Sequence, residues 1–185
     1  MICSFCNKSH NTIDCDVESK ARPLLKRRAG KDLELYIPQN MCCPFCKEKT
    51  LESLDDNTPS LDIVCSNCKH IFEVKTKCLS VKDIPHNIKL YSGHYLSLLD
   101  RIDQGLNLIV IIYKADRQTK EITIREILFV KNKKLKNPNY INIRTRNESP
   151  LEKNLSVIYI KNKYDVDTLK MTAVLNFNDT VDQLV

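Results

Sequence analysis

A chain of 185 residues can form one ordinary domain with, at most, a small appended module. Its 42% apolar and 28% charged residues exclude a disordered chain and a membrane protein, and three glycines leave no glycine-rich nucleotide loop. Twenty-nine Lys and Arg against 23 Asp and Glu give a net charge of +6, which suits a polyanionic partner.

In chain order, MICSFCNKSHNTIDC opens without a hydrophobic leader, so the expected location is intracellular: cytoplasm, nucleus or, for a viral protein, the host cell. Cys3, Cys6, His10 and Cys15 form a C-x2-C-x3-H-x4-C cluster similar to the small CCHC zinc knuckle, and residues 1–16 are expected as a module around a second zinc ion. Residues 17–37 show helical periodicity interrupted by Pro23 and Gly30, which predicts one or two short helices. Residues 61–64 and 70–77 read as strands, the second with clear alternation. The stripe Ile88, Tyr91, Tyr95, Leu98, Leu99 and Ile102 predicts a helix over 83–103. Residues 106–116 form a buried strand, with a hairpin into 121–131. The apolar run at 106–113 is far short of the ~20 residues that cross a bilayer, so no membrane partner is expected. Strands follow at 139–145 and 155–163, and 167–177 is ambiguous. This order gives a mixed α/β domain over 17–185, with a helix packed on a central sheet.

Nine cysteines without a secretion signal are better read as metal ligands than as disulfides. Cys43-Pro-Phe-Cys46 and Cys65-Ser-Asn-Cys68 are CxxC pairs separated by 18 residues, and two such turns complete a tetrahedral zinc site. A site of this kind is worth on the order of 10 kcal/mol to folding, so its expected role is structural. Cys42 and Cys78 are left as packing thiols. His70 stands beside the second pair and could hydrogen-bond a cysteine sulfur. His86 and His94 are assigned to packing or capping. Basic residues cluster at 24–31 and at 131–163, where nine Lys and Arg oppose Glu148 and Glu152; Lys77, Lys82 and Lys131–Lys136 are expected to meet phosphates.

The chemistry lies in residues 61–76. If Cys65–Cys68 is the turn of a hairpin, pairing Leu61 with Phe72 puts Leu61, Ile63, Phe72 and Val74 on the core face. The opposite face then carries Asp62, Glu73 and Lys75, with Asp62 across from Ile71 and Glu73 its diagonal neighbour at roughly 7 Å. Two such carboxylates can share Mg2+, and Lys75 can orient or deprotonate a water; together they suit metal-assisted phosphodiester hydrolysis.

The D-x10-E-x-K pattern of Asp62, Glu73 and Lys75 resembles the PD-(D/E)XK nucleases. More narrowly, CPFC…LDIVCSNCKHIFEVKTK is similar to the catalytic domain of the DpnI-type methyl-directed restriction endonucleases, which embed a four-Cys zinc site around the catalytic hairpin. Ser19-Lys20-Ala21-Arg22 resembles the start of that family's first helix, and YSGHYLSLLDRI its next one. The resemblance covers roughly 17–160. It implies a restriction-endonuclease-like mixed sheet with flanking helices, Asp62 and Glu73 as Mg2+ ligands, Lys75 as the water-activating residue, and Cys43, Cys46, Cys65 and Cys68 on zinc. The substrate it implies is double-stranded DNA, with a homodimer or two sequential nicks for double-strand cutting. Glu34 or Glu52 could add an acidic ligand. DpnI-type enzymes also carry a C-terminal winged helix; the residues after about 160 are too few for one, so methyl-directed recognition is not carried over. The competing reading is a non-catalytic zinc-ribbon protein that binds nucleic acid or serves transcription. Two facing carboxylates speak against it, because they repel phosphate unless a cation lies between them.

Overall fold

The computed structural model describes residues 29–54, 61–79, 83–116, 121–145, 155–169 and 173–176. The N-terminal cluster of Cys3, Cys6, His10 and Cys15, together with Lys82, lies outside them.

Helix α1 covers residues 29–40 and buries Ala29, Leu33 and Ile37 at four-residue spacing, with Met41 just beyond. Gly30, expected to interrupt a helix, lies within it. A Cβ there would stand 3.3 Å from Thr76 Oγ1, so the missing side chain lets the helix approach the sheet closely. Three short or medium strands follow: β1 (Leu51–Ser53), β2 (Ile63–Cys65) and β3 (Ile71–Cys78). Next come β4 (Ile88–His94), α2 (Tyr95–Asp103), β5 (Asn107–Asp116) and β6 (Glu121–Val130). The chain continues through α3 (Asn132–Leu135), β7 (Ile141–Thr145), β8 (Leu155–Ile160), β9 (Asp167–Leu169) and β10 (Ala173–Asn176).

The central sheet runs β1-β2-β3-β5-β6-β10, with β9 also pairing β6. The β3–β5 pair is parallel and the other pairs are antiparallel, so the sheet is mixed, as expected. Strand β5 shows why a continuous apolar run is needed at its centre. Ile109, Ile111 and Tyr113 enter one core with α1, whereas Leu108, Val110 and Ile112 enter a second core with Leu90, Leu98, Ile102 and Ile158. Each side chain fully buried this way contributes about 1.5–3 kcal/mol. The ambiguous 167–177 segment resolves into two strands, both paired with β6.

The helix expected over 83–103 is corrected to a strand followed by a shorter helix. Ile88 and Leu90 are buried while Lys89 and Tyr91 are not, a period of two that β8 satisfies by antiparallel pairing. The register shifts between Ser92 and His94, around Gly93, and the helix starts only at Tyr95. Of the expected helical stripe, Leu98 and Ile102 are the buried members of α2. Strands β4, β8 and β7 form a separate three-stranded antiparallel sheet against the second core. Thus 139–145 and 155–163 do supply strands, but to this second sheet.

Candidate active site and zinc centre

The two CxxC turns fold alike. In each, the first cysteine's carbonyl accepts from the residue four positions on: Lys47 N–H to Cys43 O and Lys69 N–H to Cys65 O, both 2.9 Å. Each first cysteine's N–H donates to the carbonyl five positions on, Glu48 and His70. The residue after each second cysteine takes a left-handed conformation, φ 65° at Lys47 and 61° at Lys69, turning the chain back. These matched turns bring the Sγ atoms of Cys43, Cys46, Cys65 and Cys68 within 4.8 Å of one another. The Cys43–Cys68 and Cys46–Cys65 separations are 3.5 and 3.7 Å. A tetrahedral zinc with 2.3 Å bonds sets its sulfurs about 3.8 Å apart, so the four cysteines are positioned to bind zinc. His70 Nδ1 lies 3.1 Å from Cys68 Sγ and Thr50 Oγ1 3.1 Å from Cys65 Sγ, and the His70 ring stacks on Phe45 at 3.6 Å. Burial pushes the Cys43 thiol up to about 12. Burial also raises Cys65, but Thr50 and the backbone N–H groups of Cys68 and Asn67 overcome it and bring that thiol down to about 6. Cys42 is exposed rather than packed, whereas Cys78 packs against the first core.

The same hairpin carries the carboxylates, in a register two residues from the expected one: Ile63 pairs with Phe72 and Val64 with Ile71. The knuckle turn, closed by Cys65 N–H donating to His70 O, sets this pairing. A two-residue shift keeps every side chain on its face, so Asp62 and Glu73 still share one. Continuing the register places Asp62 across from Glu73 rather than from Ile71. Leu61 moves out of the expected core face and joins the second core. Asp62 Oδ2 accepts from Val74 N–H at 2.6 Å. Glu73 is 1% exposed; its Oε1 accepts from Ser92 Oγ and pairs with Lys75 Nζ, each at 2.7 Å. Its Oε2 is buried and has no partner among the described residues. Burial opposes charge on Lys75, but Glu73, Asp62 and the α1 residue Glu34 outweigh it, so the ammonium is held above its ordinary range.

Asp62, Glu73 and Lys75 therefore come together, Glu34 adds its field from α1, and exposed Glu52 lies on β1 paired with Val64. Ser92 was missed because its segment read as helix. Lys77 donates to Lys89 O at 3.3 Å and so ties β4 to β3. In the 131–136 run, Lys131 pairs with Asp167, Lys136 with Asp103, and Lys134 bonds Asp165 O. His94 precedes α2 without a side-chain cap, and His86 packs on Tyr164 at 5.2 Å.

Residues 26–173 match the DpnI family, described as the Dam-replacing family. The chain belongs to that family. Membership makes it restriction-endonuclease-like, a nuclease related to restriction enzymes and with DNA as the implied substrate. The matched span includes every residue of the four-cysteine cluster and of the Asp62, Glu73 and Lys75 group. No curated protein matches the chain. No helix among the described residues is long and apolar enough to cross a membrane.

Proposed function

We propose that this chain is a Mg2+-dependent DNA endonuclease of the PD-(D/E)XK kind, in which Asp62 and Glu73 hold the metal and Lys75 orients or deprotonates the attacking water. The carrying observation is Glu73 Oε2, a buried carboxylate oxygen that has no partner among the described residues and belongs to the carboxylate paired with Lys75. An oxygen removed from water in this way fits a hard cation and costs about 1–3 kcal/mol or more if left unmatched. Magnesium would supply Lewis-acid polarisation and charge neutralisation at the scissile phosphate. Ser92 fixes the Glu73 carboxylate through Oε1, Val74 N–H fixes Asp62, and Glu34 on α1 adds negative charge that favours the Lys75 ammonium. Residues 17–185 form the nuclease domain in this reading and 1–16 a separate zinc knuckle; a homodimer would cut both strands of intracellular double-stranded DNA.

The test is cleavage of methylated and unmethylated plasmid with Mg2+, beside Lys75→Ala. Cutting that requires Mg2+ and disappears in the variant supports the assignment, and the two plasmids report on methyl dependence. DNA retention without cutting, with zinc bound, moves the assignment to a binding module. Equal cutting by both chains places the active site elsewhere.

A further inference from the structure

The outer face of the three-stranded sheet carries a group of side chains that the cleavage chemistry does not use. Ile88, Leu90, Ile141, Ile158 and Ile160 face the second core, so alternation sends Lys89, Tyr91, Arg144, Val157 and Tyr159 outward. The Lys89 ammonium lies 5.0 Å from the Tyr91 ring centre and 5.7 Å from that of Tyr159, and the Arg144 guanidinium lies 4.6 Å from Tyr159. Arg144 Nη2 also donates to the Tyr159 hydroxyl at 2.7 Å. That bond is the largest influence on the Tyr159 phenol; desolvation opposes it, and with Lys89 the two cations hold the phenol below its ordinary range. Val157, across from both Tyr91 and Arg144, is buried yet belongs to neither core. The result is a flat aromatic surface with fixed cations, in which Tyr91 remains 48% exposed.

Two further observations select its occupant. Strands β4, β7 and β8 contain no Asp or Glu, so nothing on the strands themselves opposes an anion there. Tyr91 also adjoins Ser92, which bonds Glu73, and alternation turns the two to opposite faces, so the outer surface backs onto the proposed active site across one strand. Aromatic faces flanked by Lys and Arg suit bases joined by phosphates. Bases within a duplex cover each other's faces; an unpaired base leaves its face open for stacking.

The geometry points to the outer face of the β4-β8-β7 sheet as a binding site for an unpaired stretch of the DNA substrate, with a base stacked on Tyr91 and phosphates near Lys89 and Arg144. The inference rests on the nuclease reading above and adds to its DNA substrate an unpaired stretch that reaches this outer face.

The chain contains no Trp, so Tyr91→Trp installs a single reporter at the surface. In Mg2+-free buffer, an eight-nucleotide oligothymidine is expected to quench its emission, and a blunt duplex of equal length to quench it far less. Tyr91→Ala is expected to weaken binding of the same oligomer on the order of tenfold, with Tyr91→Phe close to wild type. Lys89→Ala is expected to reduce the salt dependence of binding by roughly 0.7 in log-log slope. Unchanged melting temperature in Tyr91→Ala separates lost stacking from lost folding. Equal quenching by duplex, unchanged affinity in Tyr91→Ala, or tighter binding of the ribo-oligomer overturns the assignment. Binding is read without cleavage, so a chain that cuts no plasmid can still pass this test, and one that cuts can still fail it.

Discussion

One hairpin, β2–β3, holds two clusters of polar side chains that treat their charges in opposite ways. At its turn, four sulfurs lie within 4.8 Å of one another, and His70 and Thr50 stand against two of them. Along its strands, Asp62 and Glu73 share a face with Lys75, and one Glu73 oxygen has no partner among the described residues. A donor set that fills four tetrahedral positions leaves no place for substrate, which is the mark of a structural metal. A donor set left short of partners keeps positions open for chemistry. Saturation, more than residue type, separates scaffold from site.

Zinc removal breaks the comparison most severely. Structural zinc contributes about 10–16 kcal/mol, as much as the roughly 5–15 kcal/mol that holds a whole domain folded. Chelation, or Cys65→Ser, is therefore expected to abolish the cooperative melting transition in circular dichroism; a chain that melts normally without zinc would remove the scaffold role. Glu73→Gln is expected to do the reverse. Cleavage should fall by about 10²–10⁴-fold, while the cooperative transition survives at a lower temperature, because Lys75 loses its charged partner but the four-cysteine cluster is untouched. Rate and melting measured on one preparation decide between the two behaviours. Ser92→Ala should have an intermediate effect: a hydrogen bond to a charged group is worth about 1.5–3 kcal/mol, so cleavage should slow on the order of tenfold or more. Smallest of all, Lys47→Gly should stabilise the first knuckle by no more than about 1 kcal/mol in denaturant titration, since glycine accepts φ 65° freely. Loss of the Lys47 ammonium bond to Pro44 O offsets part of that gain.

The zinc centre was the most legible part of the chain, because CxxC spacing is a local property that survives any arrangement of the rest. Asp62, Glu73 and Lys75 were legible for a related reason: parity along a strand determines the face, and a register two residues off leaves it unchanged. The pairing itself was not legible, nor was the buried state of Glu73, which depends on Ser92 arriving from β4. Residues 88–94 misled because Ile88, Tyr91 and Tyr95 also fit a helical stripe; only a partner strand 60 residues later makes period two the better solution. The partners of Lys131, Lys134 and Lys136 were not legible, because Asp167, Asp165 and Asp103 are distant in sequence.

The sequence by itself determined the cluster of four cysteines, the face shared by two carboxylates and a lysine, and the strand read at 106–116, all of which follow from spacing and alternation within a short stretch of chain. Tertiary structure alone decided that β4 is a strand, that Ser92 bonds Glu73, and that Tyr91, Tyr159, Lys89 and Arg144 meet on one surface. Each of these depends on contacts between segments tens of residues apart. Such contacts are set by which apolar faces must cover one another, and no local window of sequence records that choice.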